Sequence, residues 1–170
     1  MVALITDIAL SGGEFNATGL SLGGYDWIEL ILADVRPSSN DRQVFVEIST
    51  ADGPATGAHR HYSVDQSSGG TTSSTSGYTN HFRLIGSGAF DLMAADGVSG
   101  KLLIWRPGAA AFKPVYGQFA HNYTSANYGR VFVGGKLAVT AVPTAVRVFA
   151  NSGTLASGKV KLLGYTLATP

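Results

Sequence analysis

The sequence predicts an all-β protein, a sandwich or a barrel, and three observations carry that expectation. Apolar residues recur with period two along most of the chain, the alternating segments are short, and turn residues separate them. Only Ala89 to Asp96 could form a helical turn or two, and no segment offers the helices of about 10 to 15 residues that a βαβ protein needs.

Taken in order, Ala3–Ala9 and Glu14–Leu20 are the first candidate strands, divided by Gly12-Gly13. In Tyr25–Val35 the positions Ile28, Leu30 and Leu32 alternate with Trp27, Glu29, Ile31 and Ala33. That run suits a central strand, because its branched and aromatic residues fit a pleated, half-buried surface. Val44, Val46 and Ile48 alternate with Phe45, Glu47 and Ser49 until Asp52-Gly53-Pro54 stops the run, which reads as a hairpin arm beside the previous strand. Ala58–Val64, Tyr78–Ile85, Lys101–Trp105, Val115–Asn122, Tyr128–Val133, Leu137–Ala141, Ala145–Ala150 and Lys159–Leu167 complete the expected strands. Pro107-Gly108, Gly134-Gly135 and Asn151-Ser152-Gly153 punctuate them, since Gly and Asn accept the positive φ that tight turns require.

Residues 66–77, QSSGGTTSSTSG, have no charge and no apolar side chain. Such a stretch cannot bury itself and is expected to be a flexible Ser/Thr/Gly loop within a single domain spanning residues 1–170.

Composition narrows the function. The chain has 170 residues, and its 14% charged residues fall well below the roughly 25% usual for soluble domains. Twelve basic residues against eleven acidic give a formal charge of +1, no bulk footprint for nucleic acid or an anionic membrane. Without Cys there are no disulfides and no thiolate metal sites. Leu137–Ala150, the most apolar stretch, is broken by Thr140, Pro143, Thr144 and Arg147, so no membrane span is expected. Met1–Leu10 carries Asp7 and no basic residue, unlike a signal peptide.

Chemical motifs are few. Gly153–Val160, GTLASGKV, has the glycines and lysine of a phosphate loop, but Val160 replaces the hydroxyl that would hold Mg²⁺, and it reads as a turn before the last strand. His59 and His61 lie two apart, on one face of a strand, where a third ligand could complete a metal site; no metal or other cofactor is otherwise implied. Carboxylates are sparse, mostly at turns, and Asp91 and Asp96 read as cap or turn residues, so the chain is expected not to be an enzyme. Aromatic residues crowd the region after residue 77, and Tyr78, Trp105, Tyr116, Tyr123 and Tyr128 are the candidates for stacking on carbohydrate or for a subunit interface.

Leu4–Pro37, with its Tyr25-Asp26 strand, Val46–Gly53 (VEISTADG), and Val142–Tyr165, with the turn residues Ser152, Gly153, Ala156, Ser157 and Gly158, resemble a group of tailed-bacteriophage virion proteins. The resemblance implies an antiparallel β-sandwich of jelly-roll type, made in the host cytoplasm and carried on the particle surface. It implies self-association, often as a homotrimer, contact with other virion proteins, and no chemical site. The expected role is a non-enzymatic tail-fibre or tail-tip subunit that binds a host receptor such as a surface glycan. Alternatives are a capsid decoration protein and a free, lectin-like carbohydrate-binding module.

Overall fold

The computed structural model describes residues 1–54, 58–67, 72–84, 95, 97–124 and 127–167. The strands are β1 (Val2–Leu10), β2 (Phe15–Ala17), β3 (Trp27–Pro37), β4 (Val44–Thr50), β5 (Gly53–Pro54), β6 (His59–Ser67), β7 (Thr72–Thr79), β8 (Phe82–Arg83), β9 (Val98–Trp105), β10 (Lys113–Thr124), β11 (Asn127–Leu137), β12 (Pro143–Ala150) and β13 (Leu155–Tyr165), most of them where the alternation predicts, although the expected strand at 78–85 is interrupted at residues 80–81 and the expected turn Gly134-Gly135 lies inside β11. No helix occurs among the described residues, and the expected helical turn at 89–96 lies outside them apart from Ala95.

Two antiparallel sheets make a β-sandwich. The larger runs β1-β13-β3-β9-β10-β11-β6-β7, and the smaller β2-β12-β4-β5, with β8 also paired to β4. A jelly-roll path does not follow from this strand order. The core lies between the sheets. Ile28, Leu30, Leu32, Leu102, Ile104, Phe119, Val131, Val133, Val160 and Leu162 face it from the large sheet, and Phe15, Val46, Ile48, Phe82, Val146 and Val148 from the small one. Each fully buried side chain of this kind contributes about 1.5–3 kcal/mol, so burial of both inner faces holds the sheets together without any cross-link.

Three further expectations need correction. The β3 and β4 strands are not a hairpin: β3 pairs with β13 and β9, whereas β4 pairs with β12 in the other sheet. Both strands alternate in the same way, and alternation does not say which sheet a strand joins. The stretch 66–77 is mostly not a loop, because β6 and β7 pair from His59–Thr79 out to Gln66–Thr72, with residues 68–71 outside those described. The ladder needs backbone groups and Thr suits it, so an edge strand forms although residues 72–77 carry no apolar side chain. Leu137–Ala141 is not a separate strand, since Leu137 ends β11 and residues 138–142 connect to β12.

The glycine-rich turn before the last strand is shorter than its sequence suggests. β13 begins at Leu155, and Gly158 lies inside it at a register shift against β3, with φ of 119°. A Cβ there would lie 2.6 Å from the Asp34 carbonyl oxygen and from the Val35 Cα, so only glycine lets the two strands approach at this bulge.

Candidate functional site

The eight-stranded sheet turns one face to the core, and no described strand packs over the other. Alternation puts Trp27, Glu29 and Ile31 of β3 on the outer face, between Lys161, Leu163 and Tyr165 of β13 and Lys101, Leu103 and Trp105 of β9. Trp27 is directly opposite both Tyr165 and Trp105, and the three rings stand together: Trp27 and Tyr165 stack at 4.8 Å with 8° between planes, and Trp27 and Trp105 tilt at 5.1 Å and 37°. In such a row the inner ring is covered on both sides. The free ring surface is therefore that of Trp105, 41% exposed, next to Tyr116, 45% exposed, which lies diagonally across on β10.

Beside the rings is a depression of about 440 Å³ lined by Glu29, Ile31, Leu32, Gly100, Lys101 and Gln118. Gly100 shapes its floor, because a Cβ there would stand 2.2 Å from the Gln118 carbonyl oxygen. Glu29 is buried at its edge, where its Oε2 accepts the Tyr165 hydroxyl at 2.7 Å and its Oε1 meets the Lys101 Nζ at 3.0 Å. Burial pushes the Glu29 carboxyl up, but the Tyr165 bond and the Lys101 ammonium outweigh it and hold the carboxyl below its ordinary range. The bond to Glu29, with burial added, raises the Tyr165 phenol in turn. The arrangement offers a ring face, a fixed anion with its cation, and the Gln118 amide within one patch of sheet. Those are the groups that orient a polyhydroxylated ring.

Among the described side chains, the structure brings together two of the predicted aromatic residues, Trp105 and Tyr116. Tyr128 is exposed but sits opposite Asn122, eight residues along β10 from the Trp105 end, about 26 Å away. It borders a separate depression with Gly97, Ser99, His121 and Arg130. Tyr78 lies on β7 opposite Arg60 and Tyr123 near the end of β10, and the side chains of both are outside the described ones. Sequence reasoning missed Trp27, Glu29 and Tyr165 as site residues. The alternation of Trp27 with buried Ile28 was the available signal, whereas the pairing that brings residue 165 to it was not.

Of the two histidines weighed as metal ligands, the structure describes the side chain of one. His59 is fully buried, its ring lies edge-on to Phe82, and its Nε2 accepts the Ile48 N–H at 2.9 Å. That nitrogen is committed to the backbone, and the His61 side chain is outside the described ones. No group of three or more potential ligands gathers among the described residues. Nor is any helix there long and apolar enough to cross a membrane. On the small sheet Arg147 binds Glu14 at 2.6 Å and lies over Phe149, closing an ion pair in an open groove that also holds Glu47.

No family model and no curated protein matches the chain. Among solved structures it aligns with the enzymatically active domain of tailspike protein 2 of bacteriophage CBA120, at 17% identity and a TM-score of 0.34, over 98% of this chain and 29% of that one. This chain thus spans less than a third of that chain's length. The name of that domain corrects one expectation: the exclusion of an enzyme, drawn from sparse carboxylates, does not stand. A likeness at this score assigns neither fold nor role, so the functional reading comes from the residues of this chain.

Proposed function

We propose that this chain is a bacteriophage virion subunit of the tail apparatus that binds a host surface glycan on the outer face of its eight-stranded sheet. The observation that carries glycan binding is the Trp27–Trp105–Tyr165 row, with Tyr116 and the Glu29–Lys101–Gln118 depression beside it. A rigid sheet holds these groups in place before a ligand arrives, which lowers the ordering cost of binding. The virion part is supported by the resemblance of residues 4–37, 46–53 and 142–165 to tailed-phage virion proteins. Self-association and docking on other virion proteins at the particle surface belong to the same reading, since weakly charged surfaces lose less on desolvation when subunits meet.

A glycan array followed by titration of the best ligand tests the site. Trp105→Ala removes the free ring face without opening the core and is expected to weaken binding about tenfold, or about 1.4 kcal/mol. Binding unchanged in Trp105→Ala, or no glycan bound at all, would overturn the assignment.

A further inference from the structure

The outer face of the large sheet carries a charge that the total composition hides. Four rows of residues cross it, as the pairing registers define. They bear six cations, Lys159, Lys161, Lys101, Arg130, Lys136 and Arg60, and two carboxylates, Asp7 and Glu29. That is a formal +4 on one face of a chain whose whole charge is +1, so the remaining surface is net acidic. Asp7 pairs with Lys161 at 3.1 Å and Glu29 with Lys101 at 3.0 Å, and both ammonium groups stay about half exposed. Lys159 and Arg130 are exposed, and the Lys136 ammonium lies 4.4 Å from the Phe112 ring.

We infer that the glycan taken by this face is acidic, a polysaccharide bearing carboxylates along its length. The inference rests on the glycan-binding reading and adds the charge class of the ligand. Charge complementarity supplies the argument: Lys136 and Arg60 sit on neighbouring strands, Lys161 and Lys101 two strands apart, and Lys159 and Arg130 four strands apart, which is about 5, 10 and 19 Å at about 4.8 Å per strand. That spacing is sparse against a nucleic-acid strand, with a phosphate every 3.4 Å or so in a duplex. It suits a polymer with a carboxylate on every sugar or every second sugar. The ring row adds to this preference, because Trp27 and Tyr165 are stacked on each other and cannot receive bases between them. A sugar needs only the one open face of Trp105.

The test is titration of the full chain with polygalacturonate, hyaluronan and polysialic acid, each alongside its carboxyl-reduced form, at 20 and 200 mM salt. The acidic polymer is expected to bind at least tenfold more tightly than its reduced form, and to lose at least tenfold at the higher salt. The double variant Lys159→Ala with Arg130→Ala should lose affinity for the acidic form alone, while Trp105→Ala weakens both. Equal, salt-independent binding of a reduced polymer would overturn the charge inference and leave the glycan reading standing. Binding of a single-stranded oligothymidylate with no polysaccharide bound would overturn both, as would binding of nothing in the panel and nothing on the array.

Discussion

Acid should destabilise this fold through one residue in particular, His121. It lies on β10 opposite Gly129, only 4% exposed, and the missing Cβ at residue 129 makes room for its ring: a Cβ there would sit 2.9 Å from the His121 Nε2. Burial lowers its pKa from 6.5 to about 4, with the backbone of Asn122 offsetting a little of that fall. Because the folded value is the lower one, the unfolded chain takes up a proton between pH 6.5 and about 4 that the folded chain refuses. Stability attributable to His121 is therefore complete above pH 6.5 and drains away as the pH falls toward 4. The loss is about 3 kcal/mol, from some 2.5 pH units at 1.36 kcal/mol each. The assay is urea unfolding of wild type and His121→Gln at intervals from pH 7 to pH 4, extrapolated to water. Every other group is common to both proteins and cancels in the difference. Wild type is expected to lose about 3 kcal/mol more than the variant across that range. Curves that run parallel within about 0.5 kcal/mol would refute the reasoning, because the imidazole would then be titrating as in the unfolded chain.

Two further outcomes follow from side chains or backbone held at one place. Lys113 is fully buried, and its Nζ donates to the carbonyls of Ala109, Ala111 and Val139 at 3.0, 3.1 and 2.8 Å, tying the β9–β10 connection to the segment after β11. Lys113→Met keeps the stem but strands three carbonyls, so calorimetry should show a loss of about 3–5 kcal/mol and a Tm lower by about 6–20 °C. A Tm within about 2 °C of wild type would mean that water replaces the ammonium at no cost. Gly158→Ala should cost about 1–3 kcal/mol or more, as a shift in the urea midpoint at unchanged slope, since the added carbon meets the backbone of residues 34 and 35. Gly153→Ala, also at positive φ but with only the Ser38 hydroxyl at 3.0 Å, should cost less.

Most of the inner strands were legible because one face of each is buried, and burial writes a period of two into the sequence. Ile28, Leu30 and Leu32 announce β3 by themselves, and its central place between β13 and β9 follows from how apolar its outer positions Trp27 and Ile31 are. What alternation does not encode is partnership. Nothing in Val44–Ser49 distinguishes a neighbour of β3 from a strand of the opposite sheet, and nothing in Thr72–Gly77 advertises that it pairs with β6. The placing of His59 was hidden for a related reason. A His on an alternating strand faces either water or core, and His59 was settled by the Ile48 N–H that reaches it from β4 in the other sheet.

The site was harder to see than the fold because it is assembled across strands far apart in sequence. Residues 27, 105 and 165 meet only once β13 and β9 have both paired with β3, and the aromatic-rich stretch after residue 77 distracts from them, since it supplies Trp105 and Tyr116 and scatters the rest. Net charge misleads in the same way. A total near zero describes a uniform surface and a polarised one equally well, and here six of the twelve basic side chains fall on four rows of one sheet face. Folding therefore creates the electrostatic feature, by sorting basic residues that the sequence distributes from Arg60 to Lys161. Moving one of them to the opposite face would leave composition, pI and core unchanged and still weaken a ligand read by charge. A variant pair such as Lys159→Ala with Ala145→Lys, which transfers one charge to the small sheet, should weaken acidic-polymer binding several-fold at constant net charge. If affinity followed net charge instead, the pair would bind as wild type, and the ordered face would have no part in recognition.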